Sequence, residues 1–407
     1  MTLPVLRQSP TDPAFVQNPY PFYDRARALG PLFLWQDYGL PCAADHATVN
    51  AILRDRRFGR EPLPETRTPP PEHLRPFYAV EDHSMLELEP PRHTRLRGLV
   101  LRAFTSRRIE AMAPDIAALA RELVDALPEG ECDLLPGFAR PLPVIIIARL
   151  LGVPEEMAPQ LLAWSNAMVA MYRVGRTRAE EDAAATAAAE FSAFLRDYVA
   201  RRRARPADDL ITQLIAAEEA GERLSTDELI STCILLLNAG HEATVHTLGN
   251  AVKVLTDWAP DLTTNRATLT AALAPGAIAG TVEEVLRFDP PLHLFTRQAH
   301  ADITVAGHRF ARGAHVGLLL AAAGRDPALC PEPHRFDPFR PAAPHLAFGA
   351  GLHFCVGAPL ARLELQLALP ILFARRPALR LARPPVYADS YHFHGLAALP
   401  AVPGPPG

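Results

Sequence analysis

From Ser225 to about Trp258 the chain keeps helical character and holds no proline. Its start, Ser225 followed three residues later by Glu228, is a capping box, in which each side chain answers the other's backbone N–H. At 1.5 Å per residue such a helix is roughly 50 Å long, more than the width of a small domain, so the rest of the chain has to pack around it. That requirement points to a mainly helical protein with small β-sheets. Other helical patterns agree. SRRIEAMAPDIAALARELVDAL carries apolar residues at Ile109, Met112, Ile116, Leu119 and Leu123, and stops at Pro128 and Gly130. A further helix runs from about Glu181 into Arg203. Strand-like pieces are short: DITVAGHRF, around a turn at Ala306 and Gly307, and HVGLLLA from His315. No composition shift marks a boundary, and residues 1–407 read as one domain.

The hydrophobic share, 49% of 407 residues, is enough for a large core. A formal charge of −4 gives no reason to expect nucleic acid as a partner. The start, MTLPVLRQSPTDPAF, lacks a basic stretch followed by an apolar one, and no window reaches the roughly 18 apolar residues of a spanning helix. The expectation is a cytoplasmic protein with no membrane partner. Cys42, Cys132, Cys233, Cys330 and Cys355 are scattered and form no CxxC pair, which argues against a disulfide framework and a structural zinc site.

Midway along the long helix the apolar run CILLLN gives way to AGHEAT, from Ala239. Positions 239, 240, 243 and 244 fall on one stripe, so Ala239 and Gly240 would let a ligand approach the backbone. The plainer alternative is a loosely packed stretch of an ordinary helix. His241 reads equally as a surface residue or a pocket lining.

A second anomaly is FGAGLHFCVGAPLARLEL, from Phe348, which sets Cys355 between glycines just before a helix with Pro359 in its first turn. The helix N-terminus favours an anionic sulfur, and Gly349, Gly351 and Gly357 let backbone approach a flat ligand. A cysteine alone is more often a small core residue. Zinc would require two further ligands beside His353 and Cys355 that the spacing does not offer.

The fixed positions of this segment, FGxGxHxCxG, are the haem-binding signature of the cytochromes P450, and the chain resembles that family over almost its whole length, from NPYPFYDRARALGP to YHFHGLAALP. The resemblance implies the cytochrome P450 fold, a triangular helical prism with a long central helix over haem. It implies haem b (iron protoporphyrin IX), with Cys355 as the iron ligand and Phe348, Gly349, Gly357, Ala239 and Gly240 around the macrocycle. Thiolate ligation favours O–O cleavage, the chemical reason for a cysteine here. His93 and Arg97, four residues apart in PPRHTRLRGL, match the family's propionate partners, as do Arg297 and His353. Glu284 and Arg287, in TVEEVLRF, match the ExxR pair, with Arg335 of PHRFDP as third member of a structural ion network.

The family's usual long-helix motif is an acid followed at once by threonine, whose hydroxyl steadies the activated dioxygen and its proton supply. Here Glu242 is followed by Ala243, and Thr244 stands one position later, rotated by about 100 degrees. Two routes stay open: Thr244 substitutes, or protons arrive through water and Glu242. By family position the substrate residues are Met85, Leu86, Met168, Met171, Leu235, Leu236, Leu294, Phe295 and Phe393, nearly all apolar, though each reads equally as core. The implied activity is a monooxygenase that hydroxylates or O-demethylates a hydrophobic small molecule with O2 and electrons from an iron-sulfur ferredoxin and its reductase. Arginines 102, 107, 108 and 362 would offer that ferredoxin a basic face. A hydrogen-peroxide-driven peroxygenase is the second enzymatic reading, and a haem-binding gas sensor or storage protein comes from another class; Glu242 and Ala243 stand where peroxygenases carry arginine and proline.

Overall fold

The structure is a computed structural model that describes residues 2–173, 175–219, 224–259, 265–391 and 393–407. No described helix is long and apolar enough to cross a membrane. The packing gathers the chain into two compact units, each assembled from separated stretches: residues 1–59, 113–140 and 243–407 in one, and 60–112 and 141–242 in the other. The sequence, lacking any linker, reads as a single domain.

The first unit carries the β-structure. Its main sheet orders Val5–Leu6, Phe33–Trp35, Leu40–Ala43, His315–Leu319, Leu294–Ala299 and Phe58–Gly59. Leu40–Ala43 runs parallel to His315–Leu319, pairing Cys42 with Gly317. A Cβ on Gly317 would lie 2.6 Å from the Cys42 sulfur, so this register demands glycine. Ile303–Val305 and His308–Phe310 form the expected hairpin, with Ala306 and Gly307 at φ 46° and 77°, the two positive values of a tight two-residue turn. The patterned segment expected as one helix is two, Ser106–Ala111 and Ala113–Asp125. The break at Met112 follows from Pro114, which restricts Ala113 and supplies no N–H to an earlier carbonyl.

A buried polar knot closes this unit. The Tyr20 and Tyr387 hydroxyls donate to Asp289 at 2.7 and 2.5 Å, the His394 ring lies 3.5 Å from the same carboxylate, and the Asn250 amide donates to the Asp289 and His394 carbonyls. Burial alone would raise the Asp289 pKa, but His394, Tyr387 and Arg325 hold it well below the usual carboxylate range. The knot joins the helix Tyr20–Ala28, the end of Ile278–Phe288, the second half of the long helix and the C-terminal segment.

The second unit is helical, with no strand among its described residues. The 27-residue helix Arg178–Ala204 starts at a full capping box of Thr177 and Glu180. Arg92–Ala103 is tied to the start of the long helix by two bonds from Arg95 to Glu228, one of them 3.2 Å. The Tyr172 hydroxyl donates to Glu81 at 3.2 Å, which brings the segment after Ala158–Val169 to the end of Arg75–Glu81. Burial, together with the nearby Glu87 charge, pushes the Glu81 pKa up to about 8.

The long helix spans Thr226–Trp258, 33 residues. Its predicted capping box is present: Glu228 N–H donates to Ser225 Oγ at 3.2 Å, and Ser225 N–H to the Glu228 carboxylate at 2.9 Å.

Candidate active site

In the first unit, Gly349 and Gly351 adopt φ 68° and 69°. A Cβ on Gly351 would stand 2.3 Å from the Leu53 carbonyl oxygen, so backbone passes backbone where no side chain fits. After the short turn Gly351–His353, the Cys355 N–H donates to the Phe348 carbonyl at 3.0 Å, closing the loop back on its own start. The helix Ala358–Arg375 begins directly after Gly357, where a methyl would lie in ordinary contact with Cys355 Sγ, 3.8 Å away. Cys355 is only partly buried. An accessible thiol at a helix N-terminus, on a loop bent by two glycines, is a fitting axial ligand for haem iron.

Ion pairs hold this loop from below. Arg362 donates to both oxygens of Glu283, at 2.6 and 2.9 Å, and its guanidinium lies 4.5 Å from the centre of the Phe348 ring. The His345 Nε2–H donates to the same carboxylate at 3.0 Å. Burial would raise the Glu283 pKa, yet Arg362 and His345 hold it at about 2. Arg362 is therefore engaged in the loop's support, which corrects its expected place among surface arginines awaiting a partner. The next residue, Glu284, receives Arg287 at 2.6 and 2.8 Å, the Asp337 N–H at 3.0 Å and the Arg340 Nε at 3.4 Å. Arg335, expected as the third member of this network, differs. Its guanidinium pairs with Glu332 at 3.1 Å and its side chain is 62% exposed, against 11% for Arg340. Arg335 takes part through its backbone carbonyl, which accepts from Arg287 and Arg340. Arg297, on the strand Leu294–Ala299, is buried, and His353 sits in the turn just before the cysteine.

In the second unit, His93 is buried and Arg97 half-buried, one turn apart on Arg92–Ala103. Of the stripe on the long helix, Ala239 is exposed although it lies in the middle of a 33-residue helix, and Ala243 is partly so. Gly240 is half-buried, and a Cβ there would lie 3.0 Å from Ile147 Cγ1 on the helix Pro141–Leu151. Its glycine serves helix packing. Thr244 is buried, 4% exposed, and the Thr247 hydroxyl donates to the Ala243 carbonyl at 2.7 Å. The surface-or-pocket question for His241 is answered by burial, with 1% exposed.

Among the expected substrate residues of this unit, Met85, Met168, Met171 and Leu236 are buried, while Leu86 and Leu235 are partly exposed. The Asn238 amide points at the Met168 sulfur, 3.7 Å away. The Glu81–Tyr172 bond lies beside Met171 and one turn before Met85. In the first unit, Leu294 packs on the aromatic core of Phe15, Tyr23 and Trp35, Phe295 packs on the sheet core and stands 3.4 Å from the Gly349 position, and the Phe393 ring faces His246 at 5.5 Å.

Sequence reasoning missed Arg340, Glu283, His345 and Ile147. Arginine and acid spacing signals a network, but nothing in PHRFDPFR separates Arg335 from Arg340 before the loop is folded.

Comparison with known proteins identifies the family. The sequence profile of the Cytochrome P450 family matches residues 278–375, the stretch that carries both ion networks and the cysteine loop. The cytochrome P450 monooxygenase PikC of Streptomyces venezuelae is 38% identical over 98% of this chain and 94% of its own. The 6-deoxyerythronolide B hydroxylase of Saccharopolyspora erythraea is 37% identical over 94% of this chain and 95% of its own. Among solved structures, P450BioI, in complex with an acyl carrier protein ligated to hexadec-9Z-enoic acid, superposes with a TM-score of 0.87 at 35% identity, covering 95% of this chain and 99% of that one. The chain belongs to the cytochrome P450 family and is a haem-dependent monooxygenase.

Proposed function

We propose that this monooxygenase hydroxylates or O-demethylates a hydrophobic small molecule, using b-type haem and electrons from an iron-sulfur ferredoxin and its reductase in the cytoplasm. Bound to Cys355, the haem would supply O2 activation and oxygen transfer, with the thiolate favouring O–O cleavage. The chain's own work is positioning and proton control. His93, Arg97, Arg297 and His353 hold the propionates by charge-assisted hydrogen bonds, and Phe348, Gly349, Gly357 and Ala239 leave room for the ring. Met85, Leu86, Met168, Met171, Leu235, Leu236, Leu294, Phe295 and Phe393 present apolar surface to the substrate.

The observation that carries the catalytic half of this reading is the arrangement on the long helix. Ala239 is uncovered mid-helix, Glu242 is 16% exposed, and Thr244 is turned into buried surroundings. Glu242 is then the ionisable group available to pass protons at this point, with Ala243 leaving space for water beside it. One relative is named as a hydroxylase of 6-deoxyerythronolide B and another is solved with an acyl carrier protein ligated to hexadec-9Z-enoic acid, which supports an apolar substrate.

The test is direct. The reduced carbon monoxide complex should show the red-shifted Soret band of a thiolate ligand, and Cys355→Ala should abolish it. A variant that keeps the band would refute the axial assignment. With the ligand secured, screening hydrophobic compounds for a shift of the haem to high spin, then following NADH consumption with a surrogate ferredoxin and reductase, tests substrate class and electron source together.

A further inference from the structure

His241 is among the most deeply buried polar residues of the chain, and its two nitrogens have different fates. Nδ1 lies 2.6 Å from the Leu237 carbonyl oxygen, one turn back. A carbonyl only accepts, so Nδ1 must carry a hydrogen. Nε2 is buried with no hydrogen-bond partner, and Glu242 Oε2 lies 3.4 Å from it. With Nδ1 committed, a neutral ring presents a bare lone pair at Nε2, and an ionised Glu242 presents another across that short gap. Two acceptors facing each other in buried surroundings repel. A proton on Nε2 turns the same pair into a charge-assisted contact, and one on Oε2 into an O–H···N hydrogen bond.

We infer that His241 and Glu242 share one proton, and that His241 is a positioning residue that keeps Glu242 loaded. The inference rests on the reading of Glu242 as the proton relay. In the loaded pair the proton sits on His241 Nε2 beside a Glu242 carboxylate. It passes to Glu242 Oε2, leaving a neutral imidazole and a carboxylic acid, and no electrons change hands. Glu242, more exposed than the ring behind it, then gives the proton onward and takes the next one from solvent. His241 is 1% exposed, so it acts through its neighbour. The Leu237 bond gives the ring a fixed tautomer and orientation for this role. The unusual Ala243 fits the same picture: with no hydroxyl following the acid, the acid's own proton occupancy matters more.

Two experiments test this. Neutron diffraction of the holoenzyme crystallised in deuterated buffer should show deuterium on Nδ1 directed at Leu237 and a second one on the line between Nε2 and Oε2. Both facing atoms bare would overturn the inference, whatever the activity. Turnover is then measured with NADH, spinach ferredoxin and its reductase, with myristic acid as probe, counting product and hydrogen peroxide per NADH. Glu242→Gln should lower product formation about 100-fold, the low end for loss of a general acid-base group. His241→Leu should lower it about 10-fold and raise peroxide release, with the spin-shift affinity for myristic acid unchanged. His241→Asn, which can still donate to Leu237 but has nothing at the Nε2 position, should match His241→Leu, and it carries the test if the leucine variant folds poorly. Adding either change to Glu242→Gln should do nothing more, because both act through one carboxylate. Normal coupling in the His241 variants with impaired Glu242→Gln would sink the inference and leave the relay standing; unimpaired Glu242→Gln would sink the relay itself.

Discussion

Under the cysteine loop, buried carboxylates are matched; in the middle of the long helix, two buried side-chain atoms stand without a hydrogen-bond partner. Glu284 receives two guanidinium groups and a backbone N–H, and Glu283 receives Arg362 and a histidine. At Asn238 to Glu242 the polar atoms include an Asn238 oxygen and a His241 nitrogen with no hydrogen-bond partner. The difference separates two uses of buried polarity. Matched charges are costly to disturb in either direction, so they hold the backbone that presents Cys355 in one geometry. Unmatched lone pairs cost stability, and a protein keeps them where a proton, a water or a ligand is to be handled.

Breaking the matched region should have the largest effect. Glu284→Ala leaves Arg287 buried without its carboxylate while two carbonyls, of Gly324 and Pro333, still hold it in place at 3.0 Å. Removing one partner of a buried ion pair costs about 3–5 kcal/mol, comparable to half of a typical domain's stability. The expected outcome is loss of folded holoprotein, read as loss of the thiolate Soret band in soluble extract. A normal yield of haem-loaded protein would mean that the network does not support the loop.

A third carboxylate sharpens the contrast because it lies in the well-matched unit but has no match. Glu364, on the helix after the cysteine, is 1% exposed, and neither oxygen has a hydrogen-bond partner. Burial alone pushes its pKa up to about 8, from an ordinary 4.5. Because the folded pKa is raised above the unfolded one, the folded state is favoured fully below pH 4.5, and that contribution is lost as pH rises through 8. At one pKa unit per 1.36 kcal/mol the loss is at most roughly 5 kcal/mol. Glu364→Gln keeps the shape and removes the titration. Its melting temperature should gain on wild type between pH 5 and pH 8.5. Equal gains at both pH values would show that the carboxyl finds a partner that keeps it ionised.

What was legible in the sequence was whatever depends on spacing along one segment. The capping box of Ser225 and Glu228, the hairpin at Ala306 and Gly307, the glycines around Cys355 and the pairing of Glu284 with Arg287 are all local, and all form as expected. The pattern of apolar residues on SRRIEAMAPDIAALARELVDAL was legible too, but periodicity outvoted Pro114, and the helix breaks at Met112. What was hidden depends on segments distant in sequence. Gly240 reads as an opening for a ligand, and its part in admitting Ile147 depends on a helix far away in the sequence. Arg362 reads as a surface charge until Glu283, 79 residues away, is seen to bind it.

The smallest effect, and the finest test of the comparison, lies in the choice between two arginines. Arg335 and Arg340 belong to one short loop, and both touch the ion network, but through different atoms. The Arg340 guanidinium reaches Glu284 and the Pro331, Glu332 and Arg335 carbonyls, whereas the Arg335 guanidinium reaches the exposed Glu332. What Arg335 gives the network is its carbonyl, which any residue supplies. Arg335→Ala should therefore change stability by no more than about 0.5 kcal/mol, as for an exposed ion pair. Arg340→Ala removes a largely buried cation from Glu284 and leaves carbonyls without a donor, so it should cost about 1–3 kcal/mol and loosen haem retention with it. Thermal melts of the two holoproteins, with haem loss to apomyoglobin as a second readout, decide between them. If Arg335→Ala proves the more damaging, the buried carboxylate draws its second cation from Arg335, and Arg340 does not complete the matched region.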